Sequence, residues 1–242
     1  MKQQILLIIG AFIFATGFAQ DEKKLVFDVN AQERKVGPFN GIEISGAINL
    51  YISQGKEEAV AVSSSEPELL DKIKTVVRNN TLYISLDTKG MSWKKWGNNQ
   101  IKAYVTFADL IKLEASGACN IKSAGKMKLT DLKVELSGAS DFTGDLEMGS
   151  IRIDLSGASQ VNLKGTADKA TYLASGASSI KAFDFVANFC KIDASGASAV
   201  RVHANKEISA EASGASSIQY KGDAIIKDFN SSGASSVKRK TD

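Results

Sequence analysis

Residues 132–140 read Leu-Lys-Val-Glu-Leu-Ser-Gly-Ala-Ser, and this stretch decides the fold. Leu132, Val134 and Leu136 alternate with Lys133 and Glu135, the period of a strand with one face buried. A tripeptide Ser-Gly-Ala then breaks the strand. The same tripeptide begins at Ser45, Ser116, Ser137, Ser156, Ser175, Ser195, Ser213 and Ser232, and the last seven copies are spaced 18 to 21 residues apart. A period of about 20 residues built from strands and glycine turns marks a solenoid, in which each repeat buries its apolar face against its neighbours.

Alignment on the tripeptide serine puts apolar residues one, three and five places before it. Ile111, Leu113 and Ala115 occupy these places in one coil, Ile151, Ile153 and Leu155 in another, and Cys190, Ile192 and Ala194 in a third. Alternation resumes after the turn, as in Val161 and Leu163 or Val200 and Val202. Like positions recurring on like favour parallel stacking over a meander of hairpins. The expected fold is all-β, a right-handed parallel β-helix (β-solenoid) of roughly 20-residue coils, with a less regular β-rich cap at its N-terminal end containing one short helix.

The tripeptide glycine suits a positive φ or a close backbone approach at a corner. The residue three places after the first serine is Ile48, then Cys119, then serine from Ser140 onward, an inward column of small groups whose hydroxyls can bond to each other or to the corner backbone. No histidine accompanies these serines, so a catalytic triad is not indicated. Outward, Lys112, Lys133, Arg152 and Lys191 lie four places before the serine, and Glu114, Glu135, Asp154, Asp193 and Glu211 two before it, with Leu173 interrupting the acidic column. Two opposite charge columns side by side offset the repulsion within each.

Residues 1–19, with Lys2, the apolar run Ile5 to Ala15, Gly17 and Ala19, read as a signal peptide. The run is too short to span a bilayer and no cysteine follows it to carry a lipid. The mature chain is expected to be exported, whether periplasmic, surface-borne or secreted, and not a lipoprotein, with no integral membrane segment. Residues 20–110 lead into the coil and residues 111–242 form the repeat solenoid. Pro67 to Ile73 suggests a short helix, with Leu69, Leu70 and Ile73 on one face, and Thr75 to Arg78 with Leu82 to Leu86 a hairpin about Asn79-Asn80. Lys and Arg number 30 against 27 acidic residues, a small net charge that implies no polyanionic partner.

Cys119 and Cys190 are about 3.5 coils apart, too far for a disulfide, and are expected as free buried thiols. His203 reads as a surface residue, and with no second histidine or thiol pair no metal site is expected. No cofactor motif or nucleic-acid pattern is present. The pattern breaks once, at Thr88-Lys-Gly-Met-Ser-Trp-Lys-Lys-Trp-Gly-Asn-Asn-Gln100. Trp93, Lys94, Lys95 and Trp96 offer flat rings to sugars and cations to acidic groups, the candidate ligand-binding residues. The alternative is that the tryptophans fold back as a lid on the cap.

Phe39-Asn-Gly-Ile-Glu-Ile-Ser-Gly-Ala-Ile-Asn-Leu-Tyr-Ile, the segment Glu66-Pro-Glu-Leu-Leu, the Trp-rich loop and tandem Leu113-Glu-Ala-Ser-Gly-Ala repeats together resemble the head GIN domain family of autotransporter adhesins, associated with Bacteroidetes. The resemblance runs from about residue 36 to 237, and Gly46-Ala-Ile-Asn-Leu50 matches the segment behind the family's name. It implies a β-solenoid and a noncatalytic adhesin-like or cell-envelope binding module, with glycan or cell-surface protein as partner. A carbohydrate-active enzyme on a β-helix scaffold and a periplasmic structural protein without ligand are the other readings; the oligomeric state is not encoded.

Overall fold

The computed structural model describes residues 28–89 and 100–240, and the backbone of two short outlying strands, β1 (Phe12–Phe14) and β2 (Lys24–Val26), which pair antiparallel. The expected signal peptide otherwise lies outside the described residues. From Gly41 onward the chain is a parallel β-solenoid of about seven turns with about 19 residues per coil.

Each coil has one sharp corner, the Ser-Gly-Ala turn. On the near side lie β4 (Gly41–Gly46), β10 (Lys112–Gly117) and the ends of the long strands β11 (Asn120–Leu136), β12 (Asp141–Leu155), β13 (Gln160–Ala174), β14 (Ser179–Ala194) and β15 (Ala199–Ala212). On the far side lie β5 (Ile48–Gln54) and the starts of those strands. β16 (Ser217–Lys221), β17 (Ile225–Ser231) and β18 (Ser236–Arg239) complete the C-terminal coils. All these strands pair parallel and in register, as Leu136 with Leu155 and Ile180 with Val200. Between corners the strand bends without a break, and slips such as that between Lys122 and Lys126 absorb the variation in period.

Inward residues form one continuous core from Phe39 to Tyr220. Each fully buried Ile, Leu, Val or Phe removes apolar surface worth about 1.5–3 kcal/mol from water. Leu113 and Ala115 are buried as their spacing predicts, but Ile111 is 48% exposed, a correction to the sequence reading. The chain arrives there from another coil, and Leu110 takes the inward place instead. Cys119 and Cys190 are free and buried.

The N-terminal section does more than cap. β8 (Thr81–Leu86) pairs parallel with β4, and β9 (Ile101–Phe107) parallel with β5, so they form a coil stacked above β4–β5 although they come later in the chain. β6 (Ala59–Ser64) and β7 (Ile73–Arg78) then run antiparallel to β9 and β8 and close that end. β3 (Gln32–Glu33) covers the free edge of β6. The hairpin about Asn79 and Asn80 forms as expected, both asparagines having positive φ (48° and 58°), which suits a tight two-residue turn. The helix α1 (Pro67–Leu70) is shorter than the expected span to Ile73, which already belongs to β7. Pro67 sets the first turn, Leu69 and Leu70 bury themselves, and pairing of Ile73 with Leu86 claims the rest for the sheet.

Candidate functional site

The corner itself is a backbone structure. From Ala118 onward each tripeptide alanine N–H donates to the glycine carbonyl of the preceding tripeptide, for example Ala158 to Gly138 at 2.7 Å and Ala197 to Gly176 at 2.8 Å. The glycines hold φ between 68° and 109°, and a Cβ on Gly176 would sit 2.5 Å from the carbonyl oxygen of Gly157. Inside the corner, Ser216 Oγ donates to the Ala194 carbonyl at 2.9 Å and Ser140 Oγ to the Ser137 carbonyl at 3.0 Å. Cys119 Sγ lies 3.4 Å from the Ser116 carbonyl in the same column. The repeated serines are thus spent on the fold, and Ser159 Oγ is buried without a partner.

Trp93, Lys94, Lys95 and Trp96 lie in residues 90–99, outside the described residues. Their frame is described. β8 runs beside β4 as far as Ser85 opposite Ser45, and β9 starts at Ile101 opposite Ile48, so the ends of the two strands flank the place that Ser-Gly-Ala holds in the neighbouring coil. Asp87 N–H donates to the Lys72 carbonyl at 2.9 Å, and the Asp87 carboxylate pairs with Lys74 Nζ at 2.7 Å. Hydrogen bonds from Lys74 and from the Lys89 amide hold the Asp87 carboxyl below its ordinary pKa. On the other side Ser65 and Gln100 exchange two bonds, Ser65 N–H to the Gln100 carbonyl and Gln100 N–H to Ser65 Oγ, both 3.3 Å.

The near face of the corner carries the two charge columns. Lys112 pairs with Glu114 at 2.7 Å, Lys133 with Glu135 at 2.8 Å and Arg152 with Asp154 at 4.0 Å, each across two residues of one strand. Glu43, Glu114, Glu135 and Asp154 line a shallow trough of about 300 Å³ beside Ser116, Ser137 and Ser156. Burial and the hydrogen bond to Glu135 raise the Glu114 pKa against the pull of Lys112, while Lys133 and Glu114 lower that of Glu135. Among the described residues no group of His, Cys, Asp and Glu is arranged to hold a metal ion. His203, expected at the surface, is half-buried beside Gly222.

Two features escaped the sequence reading. The first is a small cluster outside the coil, where the Tyr104 hydroxyl donates to Asp28 at 2.7 Å, Lys102 approaches Asp28 at 3.7 Å, and the Tyr104 ring stacks on Tyr51 at 5.3 Å. It fastens the segment before β3 onto the upper coil. The second is the far face of the corner, where the residues six places after the serine include Lys122, Lys181, Arg201 and Lys238. Past the turn the apolar places lie five and seven after the serine, and the outward place between them carries this column.

The sequence model of one family, described as "Putative auto-transporter adhesin, head GIN domain", matches residues 38–224. A crystal structure described as a "putative adhesin" from Bacteroides fragilis is similar with a TM-score of 0.79 at 24% identity, covering 87% of this chain and 96% of that chain. One described as a "putative lipid binding protein" from Parabacteroides distasonis gives 0.65 at 20% identity over 87% and 96%. A "putative adhesin" from Parabacteroides merdae gives 0.60 at 16% over 87% and 95%. At these identities the likeness is one of fold. No curated protein matches the sequence.

Proposed function

The chain belongs to the family described as auto-transporter adhesin, head GIN domain, and from that membership we propose that it is an exported, noncatalytic binding module of the cell envelope that contacts glycan or a surface protein. The observation that carries this reading is the break in the repeat between Leu86 and Ile101, the ends of β8 and β9. The chain departs from its own rule there: a stacked coil whose corner should be three small residues carries instead a long insert containing both tryptophans, between two hydrogen-bonded feet. Long insertions at a solenoid corner contribute nothing to coil stacking and are where repeat proteins place recognition. Trp93 and Trp96 supply apolar ring faces and Lys94 and Lys95 supply cations, a combination suited to a sugar bearing acidic groups.

The test is a panel of soluble glycans and purified envelope components presented to the mature protein and to a Trp93→Ala/Trp96→Ala variant of equal thermal stability. Binding by the first and loss in the second supports the reading. Turnover of any polysaccharide in a reducing-sugar assay would replace it with an enzyme, and equal binding by both proteins would remove the loop from it.

A further inference from the structure

We propose that the far face of the corner in the C-terminal coils is a second contact surface, which takes an acidic polysaccharide lying along the solenoid axis. The inference rests on the reading of the chain as an exported binding module but not on the tryptophan loop.

Its basis is a local failure of charge compensation. Many outward cations of the coil have an acidic partner, as Lys112 with Glu114, Lys133 with Glu135, Lys128 with Glu147 and Lys164 with Asp145. Lys181 and Arg201 are exposed and directly opposite each other in the parallel register, and neither has an ionic partner among the described residues. Adjacent rungs lie about 4.8 Å apart, where like charges facing each other are destabilising. Gln219 and then Lys238 continue the same column. Beside it Lys221 and Lys240 lie 5.7 and 5.0 Å from the ring centre of Phe183, so two further cations are held on this face. The repeat positions of both columns from Lys181 to Lys240 carry no carboxylate, and the one acid bordering them, Asp184, sits opposite Lys164 at the bulge beside Phe183. The small net charge of the whole chain conceals this, because the compensated near face dominates the count.

The neighbours of these cations select the kind of polyanion. Gln160, Asn162, Ser179, Ser217 and Gln219 surround the column on a flat sheet, and the exposed large apolar residues, such as Ile225 and Ile226, lie on other columns. The one ring on this face, Phe183, is half-buried beneath Lys221 and Lys240, so little apolar surface is offered to a bilayer, for which surface-binding elements combine cations with buried apolar area. Cations on three of four successive rungs, with amides and hydroxyls between them, match carboxylates and hydroxyls repeated along a linear sugar chain.

The experiment measures binding of polygalacturonate, neutral dextran and phosphatidylglycerol vesicles to the mature protein at two salt concentrations. Polygalacturonate should bind, more weakly at high salt, and dextran should not. A Lys181→Gln/Arg201→Gln variant should lose about tenfold or more in polygalacturonate affinity. Lys128→Gln/Lys227→Gln, with the same change in net charge at cations already paired, should stay within about twofold. Equal loss in both variants reduces the effect to net charge and overturns the proposal, as does unchanged binding by the first. Binding of vesicles in preference to polygalacturonate assigns the face to a membrane and overturns it too. Trp93→Ala/Trp96→Ala separates the two readings: polygalacturonate binding kept there but lost in Lys181→Gln/Arg201→Gln supports this surface independently of the loop.

Discussion

The backbone N–H of Ala118 donates to the carbonyl oxygen of Gly46 at 2.7 Å, with the entire cap and the inserted coil between them in the chain. The corner ladder therefore continues across the insertion, in the same geometry that later joins Ala139 to Gly117. Coil stacking is set by the corner and is indifferent to how much chain loops out between two coils.

If the glycine ladder carries the corner, Gly176→Ala destabilises. It forces a Cβ into the left-handed region, at about 1–2 kcal/mol, and against the Gly157 carbonyl 2.5 Å away. Gly37→Ala, which meets nothing within 4 Å, is the control and should be neutral. Urea unfolding of both variants decides this; a Gly176→Ala midpoint equal to that of the parent would sink the account.

The inward serines differ in what their hydroxyls do. Ser216→Ala removes a buried bond to the Ala194 carbonyl and should cost about 1 kcal/mol. Ser159→Ala removes a buried hydroxyl that has no partner, and should be neutral or stabilising. Equal losses in the two variants would mean that volume, not hydrogen bonding, governs the column.

Asp28 makes the clamp on the upper coil pH-sensitive. Burial raises its pKa, but hydrogen bonds from Tyr104, Ser63 and the Asn30 amide, with the Lys102 charge, bring it below the ordinary 3.8. A carboxyl depressed in the folded state contributes stability that is present above its unfolded pKa and lost as pH falls through the folded one. Thermal melts should show that loss beginning near pH 4 and continuing downward, and Asp28→Asn should be less stable at pH 7 and flatter across this window. A variant with the acid limb of the parent would place the effect elsewhere.

Both thiols should be unreactive in the folded protein. Burial pushes Cys190 up to about 12 and raises Cys119 despite its hydrogen bonds to backbone, so almost no thiolate exists at neutral pH. Iodoacetamide should label neither cysteine natively and both in denaturant, by intact mass. Native labelling at either position would contradict the packing.

The repeating coils were legible because every level of the sequence agrees: alternation, corner glycine and small inward residue recur together from Ser116 to Ser232. The upper coil was not, since Leu86 and Ile101 carry no tripeptide between them, and nothing local says that Ile84 will lie on Ile44 rather than beyond it. Ile111 failed for the same reason, the strand pattern being extended one residue into a crossing segment. Of the two proposed surfaces, the sequence marks Trp93 and Trp96, outside the described residues, by a break in the pattern, whereas Lys181 and Arg201 obey it and emerge only when rungs are laid side by side.

The out-of-order coil also has a mechanical meaning. Pulled from its C-terminal strand, the rod presents one rung at a time, each released by peeling its main-chain bonds from the next and yielding about 60–70 Å of extended chain. Once β10–β11 has peeled away this ends, because the next strand in the chain, β9, does not lie on the open face but is paired on both sides, with β5 and with β6. Force–extension traces should show a run of even short steps and then one longer, stronger event, the signature of a tether that unreels under load and stops at a locked head.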